Sequence, residues 1–344
     1  MKKLFVAGAG IGAGLLLIGW VLLFQPFHGD SKGTPVIVTI PKGAGLATVA
    51  DLLASKGIVD DATLFALRTR IEGESGAIHA GPIAMRAGLS YGEALEILTK
   101  QGNATKSVTI PEGPSRQEVA PIVAGAGVSG NYLAATRGSR FLDPRAYGAP
   151  AGAGLDGFLF PSTYDLRLPP RVSELVQAQL TAFKSQFATV DMAKARAKNL
   201  TPFDVVTIAS MIERETSVAR ERPLVAAVIW NRLKQGIPLG IDATTRYEFS
   251  NWTEPIRQSQ LASTSRWNTR NRQGLPPGPI GNPGLESLKA AANPAPSDFL
   301  FYVVKPWTCG EHTFARTQPE FDRAVAAYNS AREANGGRAP SKCP

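Results

Sequence analysis

The pattern of apolar and polar positions divides the chain into stretches of different character. Leu4 to Phe24 holds no charged residue, and 21 such residues are enough to span a bilayer as a helix. Lys2 and Lys3 precede it, so the positive-inside rule places residues 1–3 in the cytoplasm and everything after Phe24 outside. A cleaved signal peptide is the alternative. Its apolar region is usually shorter, and no Ala-x-Ala site follows Phe24. A polar tether, residues 25–35, leads into an internal repeat. Val38-Thr-Ile-Pro-Lys-Gly43 returns as Val108-Thr-Ile-Pro-Glu-Gly113, and the match continues at the same offset of 70: Val49 and Ala50 with Val119 and Ala120, Leu52 and Leu53 with Ile122 and Val123, Gly57 and Ile58 with Gly127 and Val128. Each copy predicts a strand, a Pro-x-Gly turn and a helix closed by glycine. Ser115 and Glu118 form a capping box for the second helix. Between the copies, Asp61 caps a helix over 62–71, Gly81 to Met85 is a short strand, and Ser90 with Glu93 cap a helix over 91–100. Residues 36–103 therefore predict strand, helix, helix, strand, helix, a compact α+β unit that suits a binding module or a spacer.

Further on, Pro202 behind Thr201 opens a helix. Val205, Ile208, Ala209 and Ile212 recur at helical spacing as one apolar stripe. Glu213 and Glu215 lie about 200° apart around the helix and flank the stripe on opposite sides. A carboxylate beside apolar surface loses hydration, its pKa rises, and it can stay protonated as a general acid. The competing reading is a solvated helix border. Around this helix the pattern predicts an aromatic run broken by proline over Gly157–Tyr164, and helices over Val172–Phe187 and Pro223–Gln235. A loop follows from Asn251 to Pro283, then a helix over Ser287–Ala292, a strand over Phe299–Val304, a helix over Pro319–Ala334 and a flexible tail, 337–344. The fold class is α+β with an N-terminal transmembrane helix.

Composition adds less. Hydrophobic content of 44% supports a sizeable core. The net charge of +9 comes without a Lys/Arg run or a nucleic-acid motif, so nucleic acid is not an expected partner. His28, His79 and His312 are far apart, no Cys/His spacing resembles a metal site, and no metal or cofactor is expected. Cys309 and Cys343 are the only cysteines, and outside the cytoplasm the two can bond and pin the tail. Gly8, Gly10, Gly12 and Gly14 make overlapping Gly-x-x-x-Gly pairs for helix packing in a membrane, and no strand precedes them to make a nucleotide loop. Gly29 to Gly33 matches Gly-x-Ser-x-Gly, but it follows an apolar span and lacks the strand-to-helix elbow that the motif needs.

The ordered set Ile208–Thr216, Ala226–Leu233, Ile241–Tyr247, Gly274–Ile280, Asn282–Gly284, Ser287–Ala291 and Gly310–Phe314, with Gly157–Tyr164 before it, resembles the YceG-like family of endolytic murein transglycosylases. The resemblance covers nearly everything after the anchor. It implies a single-pass inner-membrane protein with a LysM-like module at 36–103 and a catalytic domain at 104–336 that includes the second copy of the repeat, 106–128. The implied reaction cuts the β-1,4 bond after N-acetylmuramic acid inside peptidoglycan glycan strands. The 6-hydroxyl of that sugar then closes onto C1 as a 1,6-anhydro end, without water, terminating strand growth. One carboxylate serves as acid and then base, where hydrolases normally use two. The resemblance places that role on Glu215, and Glu215-Thr216 resembles the Glu-Ser pair of other lytic transglycosylases. It also implies the membrane and peptidoglycan synthases as partners. Two departures stand out: Ala243 after Asp242, where a proline often follows, and Cys309 in a stretch usually without cysteine. Supporting roles follow from chemistry. Asn231, Asp242, Thr244 and Tyr247 are polar groups for acetamido or sugar contacts. Arg232 suits a glutamate or a lactyl or peptide carboxylate. Glu213 is expected to pair with Arg232 or another cation behind the cleft. Two other functions remain open: a hydrolytic muramidase using Glu213, Asp242 or Glu248 as second carboxylate, and a non-enzymatic wall-binding scaffold.

Overall fold

The computed structural model describes residues 14, 17–26, 34–76, 78–100 and 105–343. Two compact units divide the chain: residues up to Lys106 with Asp165–Pro170, and Ser107–Tyr164 with the rest from Arg171. Most of the predicted Leu4–Phe24 span lies outside the described residues. Residues 17–24 are helical and leave Leu17, Ile18, Trp20 and Leu22 exposed. No helix among the described residues is long and apolar enough to cross a membrane.

The first unit forms in the predicted order. Strand β1 (Pro35–Ile40) is followed by α1 (Leu46–Ser55), α2 (Ala62–Ile71), strand β2 (Gly81–Arg86) and α3 (Tyr91–Lys100). β1 and β2 are antiparallel, with Pro35 opposite Arg86 and Ile40 opposite Gly81. Alternation along the strands sends Val38, Ile40, Ile83 and Met85 inward, where they meet Val49, Leu53, Phe65, Leu95 and Leu98 from the helices. The predicted caps are made: Asp61 accepts from Leu64 N–H at 2.8 Å, and Ser90 Oγ from Glu93 N–H at 3.2 Å.

In the second unit the repeat is reproduced in local detail. β3 (Thr105–Ile110) leads into α4 (Arg116–Gly125), as β1 leads into α1. The turn glycines Gly43 and Gly113 both take positive φ (77° and 96°), as do the closing glycines Gly57 and Gly127 (66° and 67°). β3 pairs with β4 (Ser162–Arg167).

The core of this unit surrounds α6 (Pro202–Glu215), behind α5 (Val172–Phe187) in the chain. Thr201 and Asp204 close a capping box and Pro202 sits in the first turn. Burial corrects the single-stripe reading: Phe203 and every residue from Val205 to Ile212 are buried, so the helix is enclosed on all sides rather than lying on a surface. α7 (Arg222–Gln235), α8 (Asp242–Glu248) and α9 (Leu285–Ala292) pack against it. Phe158 and Phe160 of the aromatic run are buried. Phe158 stacks on Phe203 and meets Phe183 edge-on, which assigns the run to the core. Gly157 is obligatory there: with φ 88°, an added Cβ would fall 2.5 Å from Val206 Cγ1. A hairpin of β5 (Phe301–Val304) and β6 (His312–Ala315) closes the unit, with α10 (Gln318–Ala334) stacking Phe321 on Phe301. The tail after Gly336, read as flexible unless its cysteine is bonded, is fastened: Cys343 is disulfide-bonded to Cys309, and Trp307 N–H donates to Pro340 O at 2.7 Å.

Candidate active site

The last turn of α6 carries both candidate carboxylates, and the structure separates them. Glu215 is met by Tyr302 from β5, whose hydroxyl donates to Oε2 at 2.7 Å. In the antiparallel register Tyr302 lies opposite Phe314 and Val304 opposite His312. Tyr302 and His312 therefore share one face as diagonal neighbours, their rings edge-on at 5.3 Å. Glu221, buried at the entry to α7, fixes the histidine: its Oε1 accepts from His312 N–H at 2.9 Å and its Oε2 lies 2.7 Å from Nδ1. Thr216 turns away from Glu215; its hydroxyl accepts from Val218 N–H at 3.0 Å and anchors the loop between α6 and α7.

Burial pushes the Glu215 carboxyl above its usual range. The bond from Tyr302 opposes that push, the charge of Asp242 adds to it, and His312 and Arg270 oppose it. Its place at the C-terminal end of α6, the negative end of the helix dipole, also disfavours the ionised form. Burial holds the Tyr302 phenol far above its ordinary value, so it acts only as a hydroxyl donor.

Glu213 lies in the opposite setting. Its side chain is 6% exposed, Oε1 is 3.3 Å from Arg222 Nη2, and Oε2 accepts from Gly284 N–H at 2.9 Å. Gly284 caps the N-terminus of α9, the positive end of a helix dipole. A Cβ on Gly284 would lie 2.0 Å from Glu112 Oε1, so a side chain there would push this second carboxylate aside. Burial, and then the charge of Glu213, push Glu112 above the usual carboxylate range.

The cation on Glu213 is thus Arg222, not Arg232. Arg232 donates to three carbonyls, Leu300 at 2.6 Å, Leu239 at 2.8 Å and Pro238 at 3.1 Å. Asn231 donates through Nδ2 to Ser297 and Phe299. Both side chains therefore fasten the strand that presents Tyr302. Asp242 comes close enough to act on Glu215, and Arg270 holds it at 2.5 Å. Thr244 is fully buried on Ile241 O and Thr269 Oγ1, steadying the segment before Arg270. Tyr247 lies away from this group. It donates to Asp156 at 3.0 Å and lines a cavity of about 340 Å³ with Arg116, Phe203 and Trp267. Glu248 accepts from Ser263 at 3.4 Å and is not among the charges acting on Glu215.

Tyr302, His312, Glu221, Arg270 and Arg222 were not singled out from the sequence. His312 lies within the Gly310–Phe314 motif and Tyr302 within a run read as an apolar strand, so only the hairpin register brings them together.

The profile of the YceG-like family matches residues 38–327. The chain belongs to the YceG-like family. Within it, the endolytic murein transglycosylase of Bacillus subtilis strain 168 is 27% identical over 337 residues, covering 92% of each chain. The endolytic murein transglycosylase of Streptococcus pneumoniae D39 is 26% identical over 335 residues, covering 88% of this chain and 60% of its own length. A crystal structure of a YceG-like protein from Listeria monocytogenes has the same fold, with a TM-score of 0.55, 21% identity, and coverage of 85% of this chain and 99% of its own.

Proposed function

We propose that this YceG-like chain is an endolytic murein transglycosylase with Glu215 as its single acid/base. The observation that carries the reading is the partition of the two carboxylates. Glu213 is held by Arg222 and by the N–H of Gly284 at a helix N-terminus, while burial and the neighbouring Asp242 favour the proton on Glu215, against the bond from Tyr302. Protonated Glu215 gives its proton to the bridging oxygen as the C1–O4 bond of a MurNAc-β-1,4-GlcNAc linkage breaks. The resulting carboxylate takes the proton of the 6-hydroxyl as O6 bonds to C1. The products are a free 4-hydroxyl and a 1,6-anhydro end, and Glu215 returns to its protonated form. The names of the Bacillus and Streptococcus relatives support this reading. We further propose that Leu4–Phe24 anchors the chain in the cytoplasmic membrane, N-terminus inside, and that residues 36–103 serve as a LysM-like glycan-binding module. The catalytic domain, 104–336, would then act outside on nascent strands, beside peptidoglycan synthases, to end glycan elongation.

One observation favours a second reading, a hydrolytic muramidase: Asp242 stands near enough to Glu215 to raise its pKa. Arg270 engages that carboxylate, which opposes its use as the base that holds a water. Incubation of the purified chain with uncrosslinked glycan strands tests the proposal. Internal cuts with ends one water lighter than hydrolysis products are expected. Full-weight ends would establish the muramidase, and intact strands the scaffold.

A further inference from the structure

A protonated carboxyl in a cleft has two oxygens, and catalysis requires the proton on the one that faces the substrate. In this chain Oε2 of Glu215 already accepts the hydroxyl of Tyr302 at 2.7 Å. The phenol is held in place from several sides. Arg232 binds the carbonyl of the preceding Leu300 at 2.6 Å, and the ring meets His312 edge-on and Phe314 at 6.0 Å. We propose that Tyr302 is a positioning residue for Glu215: its hydroxyl, donated to Oε2, assigns the reactive proton to Oε1 and steadies the carboxylate left when that proton departs. The proposal rests on Glu215 being the acid.

The groups facing Glu215 come from every element around it: Tyr302 on β5, His312 on β6, Asp242 at the start of α8 and Arg270 beyond that helix. Those facing Tyr302 are Glu215, Asp242 and Arg232. The donated bond is the largest influence that lowers the pKa of Glu215 against its burial. A general acid must be protonated, so the rate falls as pH rises through its pKa, and this alkaline limb reports the strength of the bond.

The test is kcat/KM against pH on purified glycan strands, with the full chain, Tyr302→Phe, and 3-fluorotyrosine placed at 302. Phenylalanine keeps the ring and removes the donor, and the alkaline limb should move up by about one to two pH units, as expected for a hydrogen bond to a charged group. Fluorotyrosine is a stronger donor of nearly the same shape and should move the limb down. A limb unmoved in the folded phenylalanine variant would reduce Tyr302 to packing and overturn the proposal. If that variant does not fold, the fluorotyrosine shift decides alone, and an unmoved limb overturns the proposal equally. Glu215→Gln run in parallel separates the two readings. Wild-type turnover in that variant removes Glu215 and Tyr302 together. A dead Glu215→Gln with an unmoved limb removes only the role of Tyr302.

Discussion

Glu213 and Glu215 leave the same helix turn for regions of opposite character. On the Glu213 side the neighbours come from Arg222, the N-terminus of α9 and the second repeat: Glu112 at Gly284, and Glu118 paired with Arg214, whose guanidinium lies 3.7 Å from the Trp252 ring centre. On the Glu215 side they come from the C-terminal hairpin, with one neutral donor and no direct cation among the described hydrogen bonds. Position on the helix does not distinguish the two carboxylates. The difference comes from the elements folded against each side, which give Glu213 an arginine and a helix N-terminus and give Glu215 a burial that favours its proton.

Three experiments bear on this contrast. Glu215→Gln keeps the shape of the side chain but cannot cycle a proton. Its turnover of glycan strands should fall by about 10²–10⁴-fold with the melting temperature held. Stability should also report the contrast through pH. The folded carboxyl of Glu215 lies above its ordinary value of 4.5, so its contribution is complete below that pH and is lost as pH rises towards the folded value. Urea titrations from acidic to neutral pH should show this downward slope in the wild type and less of it in Glu215→Gln; equal slopes would contradict the protonated acid. On the other side, Glu213→Gln leaves Arg222, 14% exposed, without its charged partner. A loss of about 3–5 kcal/mol in urea unfolding is expected, partly restored by adding Arg222→Met, with much more activity per folded molecule than Glu215→Gln. Loss of activity without loss of stability would reverse the assignment.

Smaller effects are expected farther from the two carboxylates. Cys343→Ser opens a crosslink between residues 34 apart that adjoins the loop into β6. It should cost about 2–4 kcal/mol in thermal or urea unfolding, and a wild-type transition would show the bond to be dispensable. Ser115→Ala removes the capping box of α4 beside Glu118 and should cost about 1 kcal/mol by the same measurement. No change would show that the second repeat gains nothing from its cap.

Much of the fold was legible because local signals agreed. The repeat announced itself through Gly43 and Gly113, whose positive φ ends each strand in the same turn, and the helix starts at Asp61, Ser90, Ser115 and Thr201 were marked by their caps. Helix α8 was missed because Asp242–Glu248 carries no apolar period; it is held by the buried Thr244, bonded to Ile241 O and Thr269 Oγ1. Strand β6 is only 4 residues long and takes its form from pairing with β5. At the site, Glu215 was reached through motif resemblance, since phase alone left it level with Glu213. Its partner Tyr302 is 87 residues away in an apolar run, where a phenol reads as core until the partner oxygen is seen. Asn231 and Arg232 have donors spent on the backbone before β5, a use that no side-chain inventory announces.

One carboxylate, Glu215, is proposed to complete the reaction without water. Digestion of purified glycan strands in ¹⁸O-labelled water, followed by mass measurement of the new reducing-side ends, tests it most directly. Anhydro ends that carry no label are expected. Ends that gain one labelled oxygen would show that water attacks C1, and that a second group, with Asp242 the first to test, holds it there.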